Sequence, residues 1–189
     1  KIRNYQHFQG DVGNENFMLK KINFIVRKKS KIDIILNCAS ISLFTHFEKR
    51  KKKEIYKTLN SNLIGTHNVI KSYVKIHSKK NLKSCHIINF GSIYGMRSPD
   101  FRIYAKKDRF NSEIYGASKA SIIQMTKYLA VMYIKKKIFI NCISPGGTII
   151  DKNKVSKNFY RKYSKRVPAG RMATPKDLLT AIVYLSNQE

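Results

Sequence analysis

Acidic residues are scarce in this chain, with 11 aspartates and glutamates against 38 lysines and arginines and a formal net charge of +27. Taken literally, that excess points to nucleic acid or an anionic membrane surface. The basic residues are nevertheless dispersed, with short clusters only at 27–29, 49–53 and 135–137, among abundant isoleucine and asparagine and few alanines. Solvated helix faces in a lysine-biased composition account for this better than a nucleic-acid groove, and a diffuse positive surface still steers anionic small molecules. Cysteine is also sparse: Cys38, Cys85 and Cys142 are odd in number and lack metal-type spacing. A disulfide framework and a zinc site are thereby excluded, and free buried thiols in a reducing cytoplasm are expected. The 5 histidines are scattered and form no metal constellation. No run approaches the ~20 apolar residues of a membrane span, and none reads as a signal peptide. Repeats and linkers are absent, so residues 1–189 read as one domain with a sizeable core.

What is present is concentrated in a few strand ends. Tyr115-Gly-Ala-Ser-Lys119 places a phenol and an ammonium four residues apart, on one face of a helix. A free tyrosine titrates near ~10, and a nearby cation favours the phenolate. Lowering that value by about three units takes roughly 4 kcal/mol, within reach of a close, partly desolvated lysine. Ile32-Asp-Ile-Ile-Leu-Asn-Cys-Ala-Ser40 is a short buried strand breaking into small residues, which allow close backbone approach to a flat ligand. His86-Ile-Ile-Asn-Phe-Gly-Ser92 is a second apolar strand with Ser92 at its end, and Ile138-Phe-Ile-Asn-Cys-Ile-Ser-Pro-Gly-Gly147 a third. Asn62 lies between the first two, in a helical pattern. Ligands in open α/β sheets bind at these carboxyl ends.

Together these residues resemble the short-chain dehydrogenase/reductase family in its classical form. Asn37-Cys-Ala-Ser40 is similar to the family's Asn-Asn-Ala-Gly turn, with departures at the second and fourth positions. Asp11-Val12 stands where the family has an Asp-Val pair that contacts adenine. Asn62, Ser92, Tyr115 and Lys119 match its catalytic tetrad in order, Pro145-Gly146 its nicotinamide turn, and Gly170-Arg-Met-Ala-Thr-Pro-Lys-Asp177 a late segment before a helix. The resemblance implies a Rossmann-like, doubly wound parallel α/β sheet and an NAD or NADP cofactor. It further implies a homodimer or homotetramer, and interconversion of a hydroxyl and a ketone on a small polar substrate such as a sugar derivative. By the same resemblance Tyr115 is the general acid or base, Lys119 tunes it and holds the nicotinamide ribose, Ser92 aligns the substrate oxygen and Asn62 holds a water for proton return. Asp11, Val12, Asn37, Ala39, Ser40, Pro145, Gly146 and Thr148 are the remaining cofactor candidates.

The departures carry their own expectations. The family's glycine-rich pyrophosphate turn is missing and the last helix ends near the final residue, so the sheet is expected to be incomplete at both ends and the chain an internal segment of a longer protein. Ser92 and Tyr115 are 23 positions apart, a longer gap than the family usually has. The extra residues, 96–111, are expected as a loop over the active site, similar to an insert in a bacterial surface-sugar or flagellin-modification subgroup. Ile150 replaces a cofactor-contacting threonine, for which Thr148 is the substitute.

Helices are expected over 14–29, 51–78, 112–137, 152–165 and 175–186, and strands over 32–37, 84–90 and 138–143. Strands alternating with helices imply right-handed crossovers and a parallel sheet. On the helix after Ser112, the apolar set Ile122, Ile123, Tyr128, Leu129, Met132 and Tyr133 is broad enough for both a sheet and a partner subunit. Singly, Ser92 reads as a turn residue, Asn62 as a helix kink and Asn37 as a strand-end cap; Asn89 and Asn141 read as structural. Two other functions stay open. One is an extended-type nucleotide-sugar epimerase or dehydratase, echoed by Ser92-Ile-Tyr-Gly95, which a large C-terminal sugar domain would favour. The other is a non-enzymatic basic binding protein, which salt-sensitive DNA binding without turnover would favour.

Overall fold

The apolar runs condense into three parallel strands, β1 (Ile34–Asn37), β2 (Cys85–Phe90) and β3 (Ile138–Ile143), adjacent in that order. The computed structural model describes residues 5–105, 110–151 and 155–187. Registers pair Asn37 with Asn89 and Phe90 with Ile143, so the strands finish level and their carboxyl ends share one edge. Around them lie α1 (Glu15–Lys29), α2 (Lys52–Leu59), α3 (Gly65–Lys80), α4 (Glu113–Tyr133), α5 (Lys157–Ser164) and α6 (Pro175–Ser186). This is the expected Rossmann-like arrangement.

Alternation along β2 sends Cys85, Ile87 and Asn89 to one face and His86, Ile88 and Phe90 to the other. The first face is thickly covered: Ile22 and Val26 of α1, Val69, Ile70, Tyr73 and Ile76 of α3, and Met125, Leu129 and Tyr133 of α4 pack on the strands. Each fully buried isoleucine there is worth about 2 kcal/mol relative to exposure. The second face meets α6, where the His86 ring lies 2.9 Å from the Leu185 carbonyl. Ile34 and Leu36 of β1 remain exposed.

Local signals explain the ends of the elements. Asn14 caps α1 by accepting the Phe17 N–H at 2.9 Å, and Ser156 caps α5 from Phe159. At α6, Pro175 follows a Thr174 cap whose N–H meets Asp177 at 2.7 Å. Arg171 grips the same carboxylate with two bonds of 2.7 and 2.8 Å, so much of the Gly170–Asp177 motif serves helix capping.

Two elements depart from expectation. The helix anticipated over 152–165 begins only at Lys157, residues 152–154 lying outside the described residues. The helix anticipated over 51–78 is two helices joined by a wide π turn, Asn60–Ile64. The extra residue in that turn re-aims Asn62 sideways, and the Asn62 carbonyl is taken up by the Thr66 hydroxyl at 2.8 Å. The cysteine expectation also needs correction: Cys85 is buried, but Cys38 is exposed just past β1 and Cys142 is half-buried.

Candidate active site

Two glycines set the geometry of the site. Ser92 ends the run from β2 and caps a short turn, Ile93–Gly95, by accepting the Tyr94 N–H at 3.1 Å. That turn lies directly on α4. A Cβ on Gly95 would sit 2.8 Å from backbone atoms of Lys119 and Ala120, and one on Gly116 would sit 2.8 Å from the Tyr94 carbonyl. Only glycine at both positions permits this approach. Helix α4 begins at the Ser112 cap, which accepts the Tyr115 N–H at 3.2 Å. Tyr115 therefore faces Ser92 in one cleft, where the serine hydroxyl acts on its phenol.

One turn later Lys119 is only 3 % exposed, and its ammonium donates to the Phe90 carbonyl at 2.7 Å. Desolvation lowers its pKa to about 8, against smaller opposing effects of Cys142 and Cys38. The Tyr115 phenol moves the other way. Burial raises it, the Ser92 hydroxyl pulls it down, and Tyr94 raises it further. The expectation that Lys119 depresses the phenol is corrected here. The ammonium is committed to Phe90 and lies 5.7 Å from the centre of the Tyr115 ring, and burial governs both groups.

Asn62 is fully buried and its amide is spent on structure. Its oxygen accepts the Ile41 N–H at 2.8 Å, and its nitrogen donates to the Ile41 carbonyl and the Ser118 hydroxyl, both at 3.0 Å. With both side-chain donors used, Asn62 fastens the loop after β1 to α4. A second buried chain runs parallel: Asn37 donates to Asn89 at 2.8 Å, and Asn89 donates to Thr126 of α4 at 2.9 Å. Asn89 is structural as expected, and so is the Asn37 side chain.

Ser92, Tyr115 and Lys119 open into a cleft of ≈ 390 Å³. Of the expected cofactor residues, Ser40, Pro145, Gly146 and Thr148 also line it. Asp11, Val12, Asn37 and Ala39 do not: the Asp11 carboxylate accepts the Gly13 N–H at 2.8 Å, and the Val12 side chain packs against Gly65. Ile150 is fully turned to solvent, whereas Thr148 bridges to Ala173 beside the cleft.

The roof was not foreseen in detail. Tyr104 of the insert packs on Phe159 of α5 with ring centres 5.1 Å apart, flanked by Phe110 on one side and Tyr163 on the other, each 5.7 Å from its neighbour. The Tyr94 and Tyr104 hydroxyls lie 2.9 Å apart, and Tyr163 accepts the Gly147 N–H at 2.6 Å. Residues 106–109 of the insert lie outside the described residues. The only sequence signal for this wall was the aromatic density of two separate segments.

A parallel α/β sheet with a serine, tyrosine and buried lysine at its carboxyl edge is the architecture of a dehydrogenase. Residues 2–189 match the family model described as enoyl-(acyl carrier protein) reductase. A short-chain dehydrogenase from Leptospira borgpetersenii, solved with bound NAD+, is 37 % identical with a TM-score of 0.85, covering 96 % of this chain and 68 % of that one. ElxO, solved with NADP bound, is 28 % identical with a TM-score of 0.81, covering 97 % and 71 %. The 3-oxoacyl-[acyl-carrier-protein] reductase FabG of Chlamydia muridarum is 28 % identical over 180 residues, 95 % of this chain and 68 % of its own length. The chain belongs to the short-chain dehydrogenase/reductase family of oxidoreductases.

Proposed function

We propose that this protein interconverts a hydroxyl and a ketone on a small polar substrate, using NAD or NADP, through Tyr115, Lys119 and Ser92. The observation that carries this reading is the meeting of those three side chains in one cleft, with Tyr115 facing Ser92 and Lys119 buried. The donor set suits a nicotinamide ribose: an ammonium has three donors and one of them is directed at Phe90, while Tyr115 stands one turn away. Ser40 and the Pro145–Gly146–Thr148 segment would flank the ring. Asp11 and Val12, outside the cleft, are assigned to the adenine end, and Ala39 to a main-chain contact. When bound, the cofactor supplies or accepts the hydride.

The chain's own residues handle the proton. Burial keeps the Tyr115 phenol protonated at neutral pH, which suits a general acid. In reduction its proton passes to the carbonyl oxygen, aligned by the Ser92 hydroxyl, which also stabilises the phenolate left behind. Lys119, with a pKa of about 8, is poised to exchange the replacement proton near neutrality. Asn62 acts as a positioning residue through Ser118 and Ile41. Residues 1–189 form one Rossmann-type domain in this reading, acting in the cytoplasm. Exposed Tyr128, Val131 and Met132 on α4 supply a face for a second copy, while Leu129 and Tyr133 pack inward.

The test is direct. The protein expressed from its full reading frame should quench or enhance NADH or NADPH fluorescence saturably, and oxidise the bound cofactor with members of a ketone and sugar panel. Absence of binding to either nucleotide would overturn the reading.

A further inference from the structure

A second cavity of ≈ 370 Å³ adjoins the catalytic cleft, and Ile93, Tyr94 and Tyr163 line both. Its rim carries Arg97 and Arg102 from the insert and Arg166 from just beyond α5, with Asp100 as the carboxylate among its described lining residues. Asp100 is shared. Arg102 reaches it through Nε at 2.9 Å and a terminal nitrogen at 3.1 Å, and Arg166 through Nε at 2.8 Å. One carboxylate thus links two guanidiniums from segments about 60 residues apart in sequence and leaves the cavity with a surplus of positive charge. The contacts hold Asp100 ionised, with a pKa of about 2, so that surplus persists across the neutral range. Tyr94 lines both cavities, which puts the second within one side chain of the cleft that holds the reacting phenol.

We propose that the substrate carries an anionic group, a phosphate or a carboxylate, and that Arg97, Arg102 and Arg166 seat it in this second cavity while its carbonyl lies at Tyr115. The inference rests on the oxidoreductase reading of the cleft and names the class of substrate that cleft accepts. Guanidiniums are suited to this task because their planar N–H groups match both oxyanions. The Asp100 clamp orients two of them before the ligand arrives, so less side-chain entropy is lost on binding. Arg102 is 82 % and Arg166 42 % exposed at the side chain, so the attraction is screened and should weaken as salt rises.

Two readouts test the proposal. In the first, the arginine Nε–H signals of labelled protein are followed by NMR during separate titrations of sodium phosphate and sodium acetate at constant ionic strength. A subset of signals should shift saturably. The shift should be lost in the Arg97→Gln, Arg102→Gln double variant, whose backbone amide spectrum serves as the folding control. The anion that saturates at lower concentration identifies the group as phosphate or carboxylate. Absence of a saturable shift with both anions, or the same shift in the variant, overturns the site. In the second, matched ketones with and without the anionic group are compared. The charged partner should lead by about tenfold or more in kcat/KM, the scale of a charge-assisted contact, and the double variant should erase that lead. Equal efficiency sinks the inference and leaves the oxidoreductase reading standing. Saturable anion binding without turnover of any carbonyl compound sinks the reading of the catalytic cleft instead.

Discussion

The floor and the roof of the cleft are built on different terms. On the floor, buried polar groups have assigned partners: Tyr115 meets Ser92, Lys119 meets Phe90, Asn62 meets Ile41 and Ser118, and Asn37 meets Asn89. Leaving any of these unmade in a dry interior costs about 1–3 kcal/mol per group, so the floor is fixed in detail. The roof is a line of aromatic rings and exposed arginines, drawn from residues 97–104, Phe110 and residues 159–166. Rings tolerate sliding, and surface guanidiniums are screened. The floor therefore sets the reaction, while the roof is free to set the substrate.

Exchanging Lys119 for methionine is the largest perturbation to that contrast. Activity should fall by about a thousandfold, the scale of a lost acid–base partner. Stability at neutral pH should rise by about 1–3 kcal/mol, because a lysine pKa held near 8 in the fold and higher when unfolded costs folding free energy below pH 8. The sign is definite. From about pH 8 upward toward the unfolded lysine value the unfolded chain binds more protons, so the wild type gains stability with pH while the variant does not. Denaturation of both proteins across that range should show the gap closing; a gap that widens would contradict the burial account.

Asn62→Ala strands the Ile41 N–H and carbonyl and the Ser118 hydroxyl without their partner, and should cost about 2–4 kcal/mol of stability, read by denaturant midpoint. If the loop after β1 and α4 did not depend on this side chain, the loss would stay within surface-substitution scatter. Gly95→Ala forces a Cβ to 2.8 Å from the α4 backbone. It should lower kcat about tenfold or more by displacing Ser92, since such misplacement propagates directly to the reacting atoms. The smallest effect belongs to the roof. Tyr104→Phe removes the bond to Tyr94 and should raise KM by a few-fold, about 1 kcal/mol, with kcat little changed.

The same division explains what could be read from the chain. The three strands, the four-residue spacing of Tyr115 and Lys119, and the placement of Ser92 at a strand end are local patterns, and each is present in the fold. The reading of Asn62 as a helix kink anticipated the break at Asn60–Ile64, but not its partners, because Ile41 and Ser118 lie 21 and 56 residues away. The opposed pKa directions of Tyr115 and Lys119 likewise arise from burial, which spacing alone does not reveal. The aromatic wall is wholly tertiary: nothing in residues 101–110 specifies contact with Phe159 or Tyr163. The Gly95 and Gly116 pair sat inside motifs that were recognised, but their close approach required the turn after β2 to lie on α4.

The central claim is that Tyr115 transfers the proton at this cleft. The measurement that tests it most directly is single-turnover oxidation of bound NADH or NADPH by an accepted ketone, comparing wild type with Tyr115→Phe at matched cofactor saturation. The account predicts a rate loss of about a thousandfold with cofactor affinity within a few-fold of wild type. A variant that keeps its rate within tenfold of wild type, while binding cofactor normally, would contradict it.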